Sequence, residues 1–292
     1  MEITASMVKE LRETSGAGMM DCKKALAETN GNMEEAMNYL REKGIAKSAK
    51  KESRIAAEGL ANIFVDGNKA VILEVNSETD FVSKNEEFTS MIEVIGKALL
   101  HSDAKTLEEA NEVMTECGKV ADYIIEKISK IGEKLSLRRF EVVTKADNEE
   151  FGAYLHMGGK IAVLTKVANA NQEVAKEVSM QAAAMKPLYL NIDEVPAEVV
   201  ENERKVQKEL AMNEGKPAEI AEKMVEGRIK KFYKEICLVE QAFIKDGDIS
   251  VKDYVANNGG EITKMVRYEV GEGMEKRNDN FADEVMSQIK GN

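Results

Sequence analysis

The 292-residue chain contains no tryptophan, few other aromatics and only two histidines, His101 and His156. Single-stranded nucleic acids are bound on aromatic faces, so a base-stacking platform is not expected. Two histidines cannot build a His-rich metal site. Cysteine is scarce as well: Cys22, Cys117 and Cys237 form no C-x-x-C pair and cannot all pair with one another. A disulfide framework is therefore disfavoured and a reducing compartment expected. Long apolar runs are missing, none approaching the roughly 20 residues that span a bilayer. The start, Met1-Glu2-Ile3-Thr4-Ala5-Ser6, has no cationic region leading into an apolar one. A cytoplasmic protein without a membrane partner is expected. Positive charge is also short, 41 Lys and Arg against 53 Asp and Glu, for a net charge of −12. Affinity for phosphate backbones rests on clustered Lys and Arg, so direct contact with nucleic acid is not expected.

Catalytic signatures are equally thin. Gly158-Gly159-Lys160 is followed by Ile161 and lacks the leading glycine of a phosphate loop, and neither G-x-G-x-x-G nor H-E-x-x-H occurs. Gly16-Ala17-Gly18 opens no βαβ unit. Acidic pairs such as Glu34-Glu35, Glu86-Glu87 and Glu149-Glu150 read as solvated helix or loop residues. No catalytic residue, cofactor site or metal site is expected, and a protein-binding module is the stronger reading over an enzyme.

The first fifty residues read as three short helices. Thr4 caps a segment with Met7, Val8 and Leu11 at helical spacing, and Ser15-Gly16-Ala17-Gly18 breaks it. A second helix runs through Met20, Cys22, Ala25 and Leu26 to the stop at Asn30-Gly31. Asn32 and Glu35 resemble a capping box for a third, with Met33, Ala36, Met37 and Leu40 on its inner face and Gly44 at its end. So little buried surface suits a small docking domain or a structural cap. The basic stretch Ala46 to Arg54 reads as a linker.

Beyond it the chain repeats itself. Leu60 to Val65, Asp66-Gly67 and Lys69 to Val75 predict a β-hairpin, and Tyr154 to Met157, Gly158-Gly159 and Lys160 to Leu164 predict another. Helical pattern follows each, at Asn85–Leu100 and Thr106–Lys130 after the first and Gln172–Met185 after the second. Gly132-Glu133 precedes Arg139-Phe140-Glu141-Val142 by the interval at which Gly260-Glu261 precedes Arg267-Tyr268-Glu269-Val270. Matching at both ends indicates duplication, and the surplus in the second copy is a helical hairpin. Ala197 to Glu214, carrying Val199, Val206 and Leu210, is joined through Gly215-Lys216-Pro217 to Ala218–Phe232, carrying Ile220, Met224 and Phe232. Its apolar stripe is open to two readings, self-association and packing within the hairpin. Asn280 to Ile289 reads as a terminal helix.

After the first hairpin comes Asn76-Ser77-Glu78-Thr79-Asp80-Phe81-Val82-Ser83-Lys84. Thr79 and Asp80 are capping types, placing Phe81 in the first turn of a short helix. The pattern leaves open a protruding anchor and a core ring closing the hairpin, and favours the second.

Four stretches, Ser15 to Leu26, Thr79-Asp80-Phe81-Val82, Lys216 to Arg228 and Val270 to Gly273, together with Phe243, resemble the bacterial translation elongation factor Ts family across essentially the whole chain. The resemblance implies an α+β fold: a three-helix ubiquitin-associated-like domain with linker at 1–54, core subdomains at 55–146 and at 147–188 with 238–272, and a dimerising helical hairpin at 189–237. A carboxy-terminal module at 273–292 follows. It also implies a guanine nucleotide exchange factor for elongation factor Tu, with Asp80 and Phe81 as a wedge held by Thr79 and Val82 and Phe81 entering an apolar pocket of the G domain. Lys23 would touch the same domain, Ile131, Gly132 and His156 would lie near the nucleotide side, and Phe243 with Ile244 would meet another partner domain. Lys245 stands where an apolar residue is common. Competing readings are a client-holding scaffold using some of the 16 methionines, and a nucleotide-using enzyme, which the missing phosphate loop disfavours.

Overall fold

A computed structural model of the chain describes residues 3–215 and 217–276. The helix expected at Asn280–Ile289, Lys216, and the module expected at 273–292 beyond residue 276 lie outside the described residues. The described residues form two compact units, one built from 3–64, 73–142 and 269–276, the other from 65–72 and 143–268.

Local rules account for the first three helices. In α1 (Ala5–Ser15) the Thr4 hydroxyl accepts from the Met7 N–H at 3.3 Å. Before α3 (Met33–Lys51) the Asn32 side chain accepts from the N–H groups of Glu34 and Glu35, satisfying donors that the helix leaves free. With α2 (Met19–Glu28) between them, Leu11, Cys22, Ala25, Leu26 and Ala36 are sealed in a small core flanked by Met7, Val8, Met33, Met37 and Leu40. Met20, on the same helix, points to solvent.

The expectation that Gly44 ends α3 is corrected. The helix continues to Lys51, and most of the supposed linker is helical. Alanines and lysines in this stretch are good helix formers, and the basic last turn suits the helix dipole. Gly44 serves close approach instead: a Cβ there would come within 2.9 Å of Ser129 Oγ on a neighbouring helix.

After α3 come strands β1 (Glu58–Asp66) and β2 (Lys69–Ser77). The chain then passes a one-turn 3-10 helix at Val82–Lys84 to α4 (Glu86–Leu100), α5 (Leu107–Glu112), the two-residue strands β3 (Met114–Thr115) and β4 (Gly118–Lys119), α6 (Val120–Ile131) and β5 (Ser136–Thr144). Strand order is β1-β2-β5, with β2 in the middle and buried almost throughout. Phe88, Met91, Ile92, Ile95 and Leu99 form the buried stripe of α4 at helical spacing.

A continuous helix over Thr106–Lys130 is also corrected. A tight hairpin interrupts it, because Gly118 adopts φ +107, a region open to glycine. The Thr115 hydroxyl reinforces the turn, accepting from the Cys117 N–H at 3.0 Å and donating to the Gly118 carbonyl at 2.8 Å.

Glu74 on β2 is fully buried and receives Arg138 at 3.0 Å, Arg139 at 2.6 Å, Asn76 at 3.0 Å and the Gly271 N–H at 2.9 Å. Burial alone raises a carboxyl pKa, but these donors outweigh it and hold Glu74 below the ordinary glutamate value. Arg139 also donates to the Glu269 carbonyl at 3.1 Å, so the same cluster anchors the returning chain.

The second unit contains β6 (Glu149–His156), antiparallel to β7 (Ile161–Ala168), with α7 (Gln172–Met185) packed on the pair. Helices α8 (Ala197–Asn213) and α9 (Ala218–Ile236) form an arm. It is followed by β8 (Ala242–Phe243), β9 (Asp246–Ser250), α10 (Val251–Asn257) and β10 (Glu261–Glu269). Strand order here is β10-β7-β6. In both sheets a hairpin comes first and the last strand lies beside the hairpin's second strand, the topology of a duplicated unit. The fold is mixed helix and antiparallel sheet, an α+β architecture. Within the arm, Ala211, Ala221, Val225 and Ile229 are buried, whereas Val206, Leu210 and Ile220 face outward.

Candidate partner-binding site

Where β2 ends, the chain turns sharply under a dense set of hydrogen bonds. The Ser77 hydroxyl donates to the Thr79 carbonyl at 2.9 Å, and the Ser83 hydroxyl donates to the Asp80 carbonyl at 2.6 Å. The Lys84 and Asn85 N–H groups close the 3-10 turn onto the carbonyls of Phe81 and Val82. Glu133 accepts from the N–H groups of Glu78 and Thr79 at 3.0 Å each, and from the Thr79 hydroxyl at 2.6 Å.

This scaffold turns adjacent side chains in opposite directions. Val82 is buried at 7% exposure, whereas Phe81 is 81% exposed and Asp80 beside it is also exposed. The core ring favoured by the pattern is thus overturned. Phe88, on the first turns of α4, is the phenylalanine that is fully buried. An exposed phenylalanine on a rigid turn retains roughly 1.5–3 kcal/mol of burial energy for a partner.

Ile131 and Gly132 join this site. Gly132, at φ +89, ends α6 and delivers Glu133 to the turn, so the two stretches are linked through one carboxylate. Gly132 is exposed and Ile131 half-buried. Lys23 is exposed on α2 in the same unit, with no hydrogen bond to the turn among those described.

In the second unit, His156 ends β6 and is exposed, its Nδ1 3.3 Å from the Tyr154 hydroxyl. Met157 next to it is 72% exposed and held at φ +51. Leu155 is exposed too, so the hairpin tip is an apolar projection around an imidazole. Phe243 differs from expectation. It is 4% exposed and stacks on Tyr254 with ring centroids 4.0 Å apart, so its ring is core and Ile244 is the exposed neighbour. Lys245 is ion-paired with Glu177, which also accepts from the Tyr254 hydroxyl at 2.5 Å. Burial raises the Glu177 pKa, but Lys245 and Tyr254 bring it below the usual value.

Glu78, Glu133 and Glu74 escaped sequence reasoning. Apart from Asn76 beside Glu74, their partners lie far along the chain, and no local spacing marks them. Gly132-Glu133 stood out only as a repeat boundary. Among the described residues, no group of three acidic, His or Cys side chains is placed to hold a metal, and no helix is long and apolar enough to cross a membrane.

Residues 78–272 match the family model described as Elongation factor TS. The chain belongs to the elongation factor Ts family. The match opens at Glu78, just after β2, and takes in the exposed turn, β5 of the first sheet, the whole second sheet and the helical arm. Elongation factor Ts acts in protein biosynthesis by exchanging guanine nucleotide on elongation factor Tu, and that GTPase is the partner. The family is one of nucleotide exchange factors.

Proposed function

We propose that this chain accelerates GDP release by inserting Phe81 into an apolar pocket of the partner's G domain. The 81% exposure of Phe81 on a turn braced by Glu133 is the observation that supports it. Burying the ring contributes on the scale of an interface hot spot. Part of that energy displaces the elements that hold Mg²⁺ and the phosphate loop in the GTPase. Mg²⁺ neutralises phosphate charge, so moving its ligands weakens GDP without competition for the base.

Asp80 flanks the ring, Thr79 and Val82 fix the turn, and Ile131 with Gly132 widens the contact beside it. Lys23 adds a cation from the amino-terminal helices, which we assign to a ubiquitin-associated-like docking domain. His156 carries the second contact, extended by Leu155 and Met157, and Ile244 represents the third in place of the buried Phe243. Binding is reciprocal: if the factor weakens nucleotide, nucleotide weakens the factor by the same ratio. This chain then needs no nucleotide, metal or cofactor of its own, and its place of work is the cytoplasm, where translation runs.

Stopped-flow release of fluorescent GDP from elongation factor Tu is the test. Phe81→Ala is expected to fold normally and to slow release by about tenfold or more, the size of a lost hot spot. An unchanged rate would remove Phe81 from the mechanism.

A further inference from the structure

Two acidic residues exchange backbone hydrogen bonds at the root of the wedge. Glu133 accepts from the N–H groups of Glu78 and Thr79. In return, the Glu78 side chain accepts from the Lys134 N–H at 2.6 Å, and Arg54 lies 3.2 Å from the same oxygen. Each carboxylate therefore satisfies the main chain that carries the other. Lys134 reaches back to the carbonyls of Glu52 and Arg54, and Lys51 donates to the Gly132 carbonyl at 2.5 Å. The segment that leaves α3 is tied into the same junction.

We propose that Glu78 and Glu133 form a reciprocal clamp that fixes the direction of Phe81, and that they are positioning residues for nucleotide release. The proposal rests on the reading of Phe81 given above. Charged acceptors make shorter and stronger hydrogen bonds than neutral ones, and here they act on backbone N–H groups that set the path of the turn. Fixing a residue's backbone costs conformational entropy. A turn already held in its docked shape avoids that cost at the insertion step, after the remaining contacts have bound the partner. The ring points outward before any partner arrives because Glu133 rides on the rigid end of α6 and Glu78 grips the residue after it.

The experiment uses the full chain and measures GDP release from elongation factor Tu over a range of factor concentrations. Glu133→Ala is expected to keep its circular dichroism spectrum and lose about tenfold in maximal release rate, the loss of charged hydrogen bonds. Its half-saturating concentration should change far less, since the remaining contacts persist. Glu133→Gln should restore most of the rate: the amide oxygen still accepts from both N–H groups, and the Thr79 hydroxyl rotates to accept from the amide nitrogen. Thr79→Val should slow release by itself but add little on top of Glu133→Ala, because the two share one interaction. If Glu133→Ala fails to fold, Thr79→Val carries the test, with an unchanged rate counting against the clamp.

A folded Glu133→Ala at the wild-type rate overturns the proposal. So does a loss confined to half-saturation, or a glutamine variant as defective as the alanine one. Phe81→Ala in the same assay separates the two readings. If it is as fast as wild type, the wedge itself fails. If it is slow beside an unimpaired Glu133→Ala, only the clamp falls.

Discussion

Glu87 on α4 stands between two lysines of α6, 2.6 Å from Lys127 and 2.5 Å from Lys130. Hydrogen bonds from Lys127 first and Lys130 second hold its pKa at about 2. In the unfolded chain a glutamate takes up its proton near pH 4.3. The folded state thus binds this proton less readily, and the linkage stabilises the fold above about pH 4.5 and fades as pH falls toward 2. Glu87 is partly solvated, which screens the effect. Urea midpoints measured from pH 7 to pH 2.5 should fall less steeply through this window in Glu87→Gln than in the wild type. Parallel curves would show that the pair does not distinguish the folded from the unfolded state. The residues of the wedge show a different lesson. Thr79 to Val82 could be singled out as a stretch, but which ring faced water depended on Glu133, whose relation to them is tertiary.

At the scale of elements, two helices pack against their sheets through glycines, and the obstacles differ in kind. A Cβ at Gly96 on α4 would lie 2.1 Å from the Phe64 ring, which can rotate away. A Cβ at Gly152 on β6 would lie 2.0 Å from the Ala175 carbonyl oxygen in α7, which can move only with its helix. Overpacking costs typically about 1–3 kcal/mol. Gly96→Ala should fall near the bottom of that range and Gly152→Ala at or above the top, measured by equilibrium unfolding. Equal losses would mean that both sites relax alike. Elements with strong local signals were legible in the sequence: the caps at Thr4 and Asn32, both long hairpins, the span of α4 and the limits of α7. The misreadings have local causes. Gly44 carried the punctuation of a helix end while filling a contact with Ser129, and the helical pattern after Thr106 concealed the turn at Gly118. Phe243 was assigned a contact through resemblance although its ring packs on Tyr254.

At the scale of the whole molecule, the proposed self-association depends on the outer face of the arm. Ala211, Ala221, Val225 and Ile229 satisfy packing between α8 and α9, which leaves Val206, Leu210 and Ile220 without a covering element among the described residues. A second copy is the proposed cover. Light scattering on a concentrated sample should give twice the 32.3 kDa chain mass, and Leu210→Lys with Ile220→Lys should return it to one. A single-chain mass for the wild type removes the dimer.

The first unit is discontinuous: its chain departs after residue 142 and re-enters at 269. Glu74, Arg138 and Arg139 emerge from the ribosome long before Gly271, whose N–H completes the set of donors around that carboxylate. The nascent first unit must therefore wait until the whole second unit has been made before its buried anion gains its last donor. A translation factor with this connectivity closes one of its own domains only after the other has left the ribosome.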